Sequence, residues 1–163
     1  MSSNVDYDAI VVGAGFAGLA LIHHLRELGI SIRVFDKAND IGGTWAWNKY
    51  PGAATDSEGY YYCLTFSKEI MQEWTWSERY PGWEETIRYM HFVAAKCNMW
   101  PDIQLNTDII SADFQNDTGL WLNKTADGTE LTCEYFICAM GMISQPVIPN
   151  FKGRNKFQGP CFH

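Results

Sequence analysis

The residues best suited to chemistry stand near the N-terminus. Gly13-Ala14-Gly15-Phe16-Ala17-Gly18 follows the apolar, β-branched run Asp8-Ala9-Ile10-Val11-Val12 and opens a helical pattern, and Asp36 lies 23 residues beyond Gly13. A strand, a G-x-G-x-x-G turn, a helix and an acid at that spacing are the parts of a dinucleotide site. Gly13 permits the tight turn, Gly15 lets the backbone approach a pyrophosphate, and Gly18 lets helix and strand pack closely. Phe16 and Ala17 complete the helix N-terminus, whose N–H groups and dipole face the phosphate charge. Asp36 is placed to accept hydrogen bonds from the adenosine ribose hydroxyls. An acid there disfavours a 2′-phosphate, and the neighbouring Lys37 does not reverse that preference, so the site suits FAD or NAD rather than NADP. Spacing alone does not separate FAD from NAD.

The elements that must hold these residues can be read from periodicity. Asp8–Val12 reads as a strand buried on both faces. Phe16, Leu19, Ala20, Ile22 and Leu25 recur at helical spacing up to Leu28, with Gly29 where a helix-ending glycine belongs. Residues 31–36 alternate as a second strand, which completes a β-α-β unit. Residues 38–81, rich in Gly, Trp, Tyr and Pro, read as a long, partly helical excursion over the cofactor face. Glu84–Cys97 resumes helical spacing as a cover helix. Ile103–Phe114, Leu120–Thr125 and Thr129–Ala139 read as a β-meander, and Tyr135–Ala139, ending near Gly141, as a further buried parallel strand. The fold expected is α/β, a Rossmann-like domain with a parallel sheet, a meander and a helical excursion.

Bulk properties narrow the function classes. The chain has 163 residues, a formal charge of −7 and 15% aromatic residues. An acidic balance without charge runs gives no footprint for nucleic acid or an anionic membrane surface. No stretch is apolar for long enough to span a bilayer. Five cysteines without C-x-x-C spacing suggest neither a disulfide framework nor a zinc site, and a cytoplasmic setting is expected. Trp74, Trp76, Tyr80 and Trp83 read as packing rather than as a ligand platform. His23, His24 and His91 lack a carboxylate–histidine–nucleophile arrangement and read as exposed or satisfied.

A second block sharpens the reading. Ile41-Gly42-Gly43-Thr44-Trp45-Ala46-Trp47-Asn48-Lys49-Tyr50-Pro51-Gly52-Ala53-Ala54-Thr55-Asp56, taken with Gly13–Gly18, Asp36 and Phe157–His163, resembles the N-terminal FAD-binding portion of Baeyer-Villiger monooxygenases of the cyclohexanone or phenylacetone type. Segments 62–67, 72–80 and 139–141 are also similar to that family. The resemblance implies FAD at this first Rossmann motif and NADPH at a second one further along the polypeptide. It implies a reaction in which NADPH reduces FAD, O2 adds to the flavin as a peroxide, and a ketone becomes an ester or lactone. Carried over residue by residue, Thr44, Trp45 and Trp47 line the flavin, Tyr62 contacts the flavin region, and the backbone of Ile109 meets the adenine. Asp56 is the catalytic candidate: near the flavin ring and nicotinamide, it would hold an arginine donated from later in the chain. An Asx-turn or helix cap is its ordinary alternative. Ala54 departs from the arginine that many members carry.

The expected organisation is an FAD-binding domain over residues 1–145 and a linker over 146–163, leading toward an absent NADP-binding domain. On that reading the chain is the first part of a longer enzyme and is not expected to act alone, and a second polypeptide would complete it. The alternatives are half of a split monooxygenase, or a non-catalytic FAD-binding or interaction module. N-hydroxylating and dimethylaniline-type flavin monooxygenases are a weaker resemblance, since they lack the Tyr50-Pro51-Gly52 to Asp56 block.

Overall fold

A computed structural model describes residues 5–161; Phe162 and His163, which end the second resemblance motif, lie outside the described residues. The β-α-β unit forms as its periodicity requires. β1 (Tyr7–Val12) and β2 (Ile32–Phe35) pair in parallel, with α1 (Phe16–Glu27) between them. Leu28 caps the helix and Gly29 follows at φ +73°, a left-handed turn that glycine adopts without strain. Leu19 and Ile22 are fully buried beneath α1, each contributing about 2 kcal/mol by removal from water.

The excursion holds only two short helices, α2 (Thr44–Trp47) and α3 (Lys68–Glu73). Its fixity comes from tertiary bonds. Thr55 N–H donates to the Pro81 carbonyl and Trp83 N–H to the Ala53 carbonyl, which zips the Pro51–Thr55 stretch to the start of α4 (Trp83–Lys96). Leu64 N–H donates to the buried Tyr89 hydroxyl of α4 at 2.6 Å. Trp74 and Trp76 pack against Tyr89 at centroid distances of 5.3 and 5.0 Å, as core-filling rings. Tyr80 of the same expected set is instead exposed.

Beyond α4 the chain forms β3 (Ile103–Gln104), β4 (Ile109–Gln115), β5 (Leu120–Thr125) and β6 (Glu130–Cys138). The sheet order is β3-β2-β1-β6-β5-β4, with β1 parallel to both β2 and β6, and β4, β5 and β6 antiparallel in turn. The continuous strand expected over Ile103–Phe114 is therefore two strands at opposite edges. They are divided at Asn106, where φ is +53°, and the dividing segment is bonded to the end of β2 through Asn106 N–H to Ala38 O and Thr107 N–H to Asp36 O. Tyr135–Ala139 is parallel to β1 as expected but less buried than expected. Tyr135 is 55% exposed, because no helix among the described residues covers that part of β6 as α1 covers β1.

Two apolar clusters clothe the sheet. Ala9, Val11 and Val34 join α1 and α4, whereas Ile10 and Phe35 face Ile109, Trp121, Leu131 and Phe136 of the meander. This is why β1 is apolar at every position from Ala9 to Val12 instead of alternating.

Candidate functional site

The carboxyl ends of the parallel strands converge on a cavity of about 370 Å³. Its walls are Val12 and Gly13 after β1, Asp36 and Lys37 after β2, Ala139 to Gly141 after β6, and Gly43, Thr44, Trp47 and Asn48 of the excursion. Strand order reverses at β1, which has β2 on one side and β6 on the other, so the cavity occupies the topological switch point where open α/β sheets bind ligands.

Two of the three fingerprint glycines, Gly13 and Gly18, have a steric reason to be glycine. A methyl on Gly13, at φ +115°, would approach the Ala139 carbonyl oxygen to 2.4 Å, and one on Gly18 would reach the Gly13 carbonyl oxygen at 2.1 Å. Gly15 faces Gly43, whose own added methyl would lie 3.1 Å from the Gly15 Cα. Gly42 N–H donates to the Ala14 carbonyl at 2.9 Å. The Gly42-Gly43 pair is thus the backbone counterface of the fingerprint turn. Phe16 and Ala17 open α1, whose first-turn N–H groups have no side-chain cap and remain available to an anion.

Asp36 is buried, and its two oxygens are already engaged: Oδ2 accepts from Ala14 N–H at 2.7 Å and Oδ1 from Ala38 N–H at 2.9 Å. A carboxylate offers about four lone-pair positions, so capacity remains for hydroxyl donors from the cavity. The first role of Asp36 is thus architectural: it ties the fingerprint turn to the end of β2. Lys37 is exposed, with Nζ 5.9 Å from the Trp47 ring centroid, and this cation–π pair frames one side of the cavity. Ile109 also lines it.

Six expected residues stand apart from the lining: Phe16, Ala17, Gly18, Trp45, Asp56 and Tyr62. Phe16 turns its ring edge-on to Tyr62 at 5.0 Å, while Ala17 and Gly18 lie behind the turn. Trp45 is buried and donates from Nε1 to the Tyr62 hydroxyl at 3.0 Å. Burial pushes the Tyr62 phenol above its ordinary value, with the Asp56 charge adding to the effect. Asp56 itself is exposed, accepts no hydrogen bond among the described residues, does not begin a helix, and stands outside the cavity lining. The Asx-turn and helix-cap alternatives therefore have no support in its surroundings.

Thr107, Asp108 and the segment Ile143–Gln145 line the cavity without having been singled out in the sequence. The polar break Asn106-Thr107-Asp108 inside an apolar stretch was the available signal for the first two. A second concavity, of about 390 Å³, lies between Pro51–Ala54 and the start of α4, over the buried Glu85 that accepts from Ser77 N–H and Oγ–H at 2.8 Å each.

These features define a Rossmann-like domain built to hold an adenine dinucleotide: a glycine cradle, free helix N–H groups and an acid at the end of β2. Residues 11–74 match the family model described as an NAD(P)-binding Rossmann-like domain. The chain is 43% identical over 161 residues to an acetone monooxygenase (methyl acetate-forming) of Gordonia sp. strain TY-5, covering 99% of this chain and 30% of that protein. It is 40% identical over 164 residues to a cyclohexanone 1,2-monooxygenase of Acinetobacter sp., and 45% identical over 158 residues to a phenazine N-monooxygenase of Lysobacter antibioticus. Among solved structures, cyclohexanone monooxygenase from Rhodococcus sp. Phi1 bound to NADP+ superposes with a TM-score of 0.87 at 34% identity, over 94% of this chain and 29% of that one. Along nearly its whole length the chain is homologous to Baeyer-Villiger monooxygenases, and it spans about 30% of the length of the relatives it matches.

Proposed function

We propose that this chain is the FAD-binding part of a flavin-dependent Baeyer-Villiger monooxygenase that uses NADPH and O2 to convert ketones to esters or lactones. The observation that carries the reading is the cavity at the switch point, where the glycine fingerprint and the Gly43–Trp47 block share one wall. Residues 1–145 would form the FAD-binding domain and 146–163 a linker toward an NADP-binding domain. The exposure of the stretch from Met140 to Cys161, whose one regular element is the 3-10 turn Arg154–Lys156, supports that division.

In this reading the N–H groups at the start of α1 bind the pyrophosphate, Gly13 and Gly15 admit it, and Asp36 accepts from the ribose. Ile109 and Lys37 border the adenosine side, Thr44 and Trp47 the flavin side. Trp45 and Tyr62 position that wall through their mutual hydrogen bond, and Asp56 anchors a cation supplied from outside the described residues. Bound FAD supplies the redox and oxygen-activating chemistry, and the protein's share is orientation, exclusion of water and placement of charge.

Relatives whose names specify ketones and one whose name specifies a phenazine match this segment at similar identity. The segment therefore carries what they share, the cofactor site, and substrate choice is assigned to the other elements of the enzyme. A cytoplasmic location fits the odd cysteine count and a need for NADPH. No helix among the described residues is long and apolar enough to cross a membrane.

The test is to purify the chain, record its flavin spectrum, and follow NADPH oxidation with a cyclic ketone, alone and with any neighbouring reading frame product added. Flavin retention without turnover by the chain alone is the expected result, and turnover restored by the added polypeptide would favour half of a split enzyme. Turnover by the lone chain would overturn the dependence on further elements. Failure to retain FAD under any condition would overturn the cofactor assignment, and retention without turnover in any combination would favour a non-catalytic FAD-binding module.

A further inference from the structure

The end of α1 remote from the cavity carries a group of side chains that the dinucleotide site does not use. His23, His24 and Glu27 bring three potential ligand atoms to one spot, all within 4.8 Å of one another. His23 Nε2 lies 3.5 Å from Glu27 Oε1, and His24 Nδ1 lies 3.4 Å from Glu27 Oε2. Zinc bonds of about 2.05 Å at tetrahedral angles place neighbouring ligand atoms about 3.3–3.4 Å apart; each imidazole stands near that spacing from its own Glu27 oxygen, and the three ligand atoms, within 4.8 Å of one another, need only draw together to share one ion. We propose that His23, His24 and Glu27 form a surface site for a late first-row divalent cation, Zn2+ fitting best, with water in the fourth position.

Three features of the surroundings support the assignment. The first is orientation. The Phe66 ring stacks on His23 at 4.1 Å and 14° and meets His24 edge-on at 5.9 Å, so one aromatic side chain sets both imidazoles. Ligands fixed in this way lose little side-chain freedom on binding. The second is charge. Glu27 is the last residue of α1, where the negative end of the helix dipole disfavours a carboxylate, and a bound cation would offset that placement. The neighbouring cation does not compete: Arg26 is turned to Asp102, at 2.6 Å, and to the carbonyls of Cys97 and Asn98. The third is access. His24 and Glu27 are 58% and 62% exposed, which leaves the fourth position open to solvent, whereas His23 at 24% anchors the group to the fold.

Two histidines and one carboxylate are a zinc donor set, and an imidazole pair also suits Co2+, Ni2+ and Cu2+. The cation would clamp the end of α1 to the excursion through the Phe66 contact, at the opposite end of the helix from the phosphate-facing turn.

The chain, expressed without a histidine tag and stripped with chelator, is titrated with Co2+ while its visible absorption is followed. Expected is a tetrahedral-type band that saturates at one equivalent, is displaced by Zn2+, and is accompanied by a rise in melting temperature with Zn2+. His24→Ala and Glu27→Gln change exposed side chains, so both should keep the apo melting temperature while losing about a hundredfold or more in affinity, beyond the usual cost of losing an outer-shell partner. His91→Ala, which removes the histidine paired with Asp40, should bind as the parent does. Absence of a one-equivalent band, or equal binding by His24→Ala and Glu27→Gln, would overturn the site and leave the cluster as paired hydrogen bonds only.

Discussion

The fingerprint turn and the excursion that meet at the cavity are built in opposite ways. On the fingerprint side, Gly13, Gly15, Gly18 and Asp36 are held by backbone: three of the four would clash or unpair if altered, and Asp36 is buried with both oxygens bonded. In the excursion, Trp47 of the cavity lining is 58% exposed, and Tyr50, Tyr60, Tyr61 and Asp56, outside the lining, are exposed as well, Asp56 with no hydrogen-bond partner among the described residues. On the proposed reading, the difference teaches that the fingerprint side is preorganised for adenosine and pyrophosphate by its own backbone, while the excursion side leaves its aromatic and acidic groups open to further contacts.

The sharpest way to break this contrast is at Gly13. Gly13→Ala forces a methyl against the Ala139 carbonyl at a left-handed φ, combining overpacking with backbone strain. A loss of about 3 kcal/mol or more is expected, together with loss of flavin binding, as measured by chemical denaturation and flavin fluorescence. A Gly13→Ala chain as stable as the parent would mean that the turn is not preorganised.

Next in size is Asp36→Asn. It replaces one charge-assisted acceptor by an amide NH2 facing a backbone N–H and leaves either Ala14 or Ala38 unpaired. About 2 kcal/mol of stability is expected to be lost, with a parallel loss of dinucleotide affinity. A loss of affinity at unchanged stability would assign Asp36 to the ligand rather than to the turn.

The same contrast accounts for what was legible in the sequence. β1, α1 and β2 carry full periodic patterns because their burial is local, and the glycines appear as a motif because each meets backbone rather than a variable side chain. The division of Ile103–Phe114 was hidden because the two-residue strand Ile103–Gln104 is too short to show a period, and its edge position is set by pairing with Val34 and Phe35. Thr107, Asp108 and the Ile143–Gln145 wall come from distant chain segments, a juxtaposition that composition does not encode. The metal-ligand spacing at His23, His24 and Glu27 depends on rotamers that Phe66 fixes, so its residues read as ordinary helix-surface groups.

A smaller effect is expected where the excursion is anchored. Burial pushes the Tyr89 phenol up to about 12 from an ordinary 10.0, while its hydroxyl accepts from Leu64 N–H. The unfolded chain releases this proton first, so between these values it holds fewer protons than the folded chain. The stabilisation is then fully present below pH 10.0 and is lost as pH rises toward about 12. Tyr89→Phe should abolish that alkaline step and cost about 1–2 kcal/mol at neutral pH by leaving Leu64 N–H unpaired. Denaturation midpoints measured from pH 8 to about 12 would show both; an unchanged alkaline slope in Tyr89→Phe would place the titration elsewhere.

The smallest effect on the fold belongs to the residue with the largest assigned role. Asp56→Asn removes a charge that is exposed and unbonded among the described residues, so the stability of this chain should change by no more than about 0.5 kcal/mol. Flavin affinity should also hold, because the side chain is outside the cavity lining. In the full-length polypeptide the same change should depress ketone-dependent NADPH oxidation by about a hundredfold, the scale on which loss of an electrostatic positioning group acts in catalysis. A drop in kcat with unaltered melting temperature and flavin content would separate the excursion's chemistry from the fingerprint's architecture. A fall in stability equal to that of Asp36→Asn would instead show that Asp56 is held as tightly as the fingerprint acid, and the contrast between the fingerprint turn and the excursion would fail.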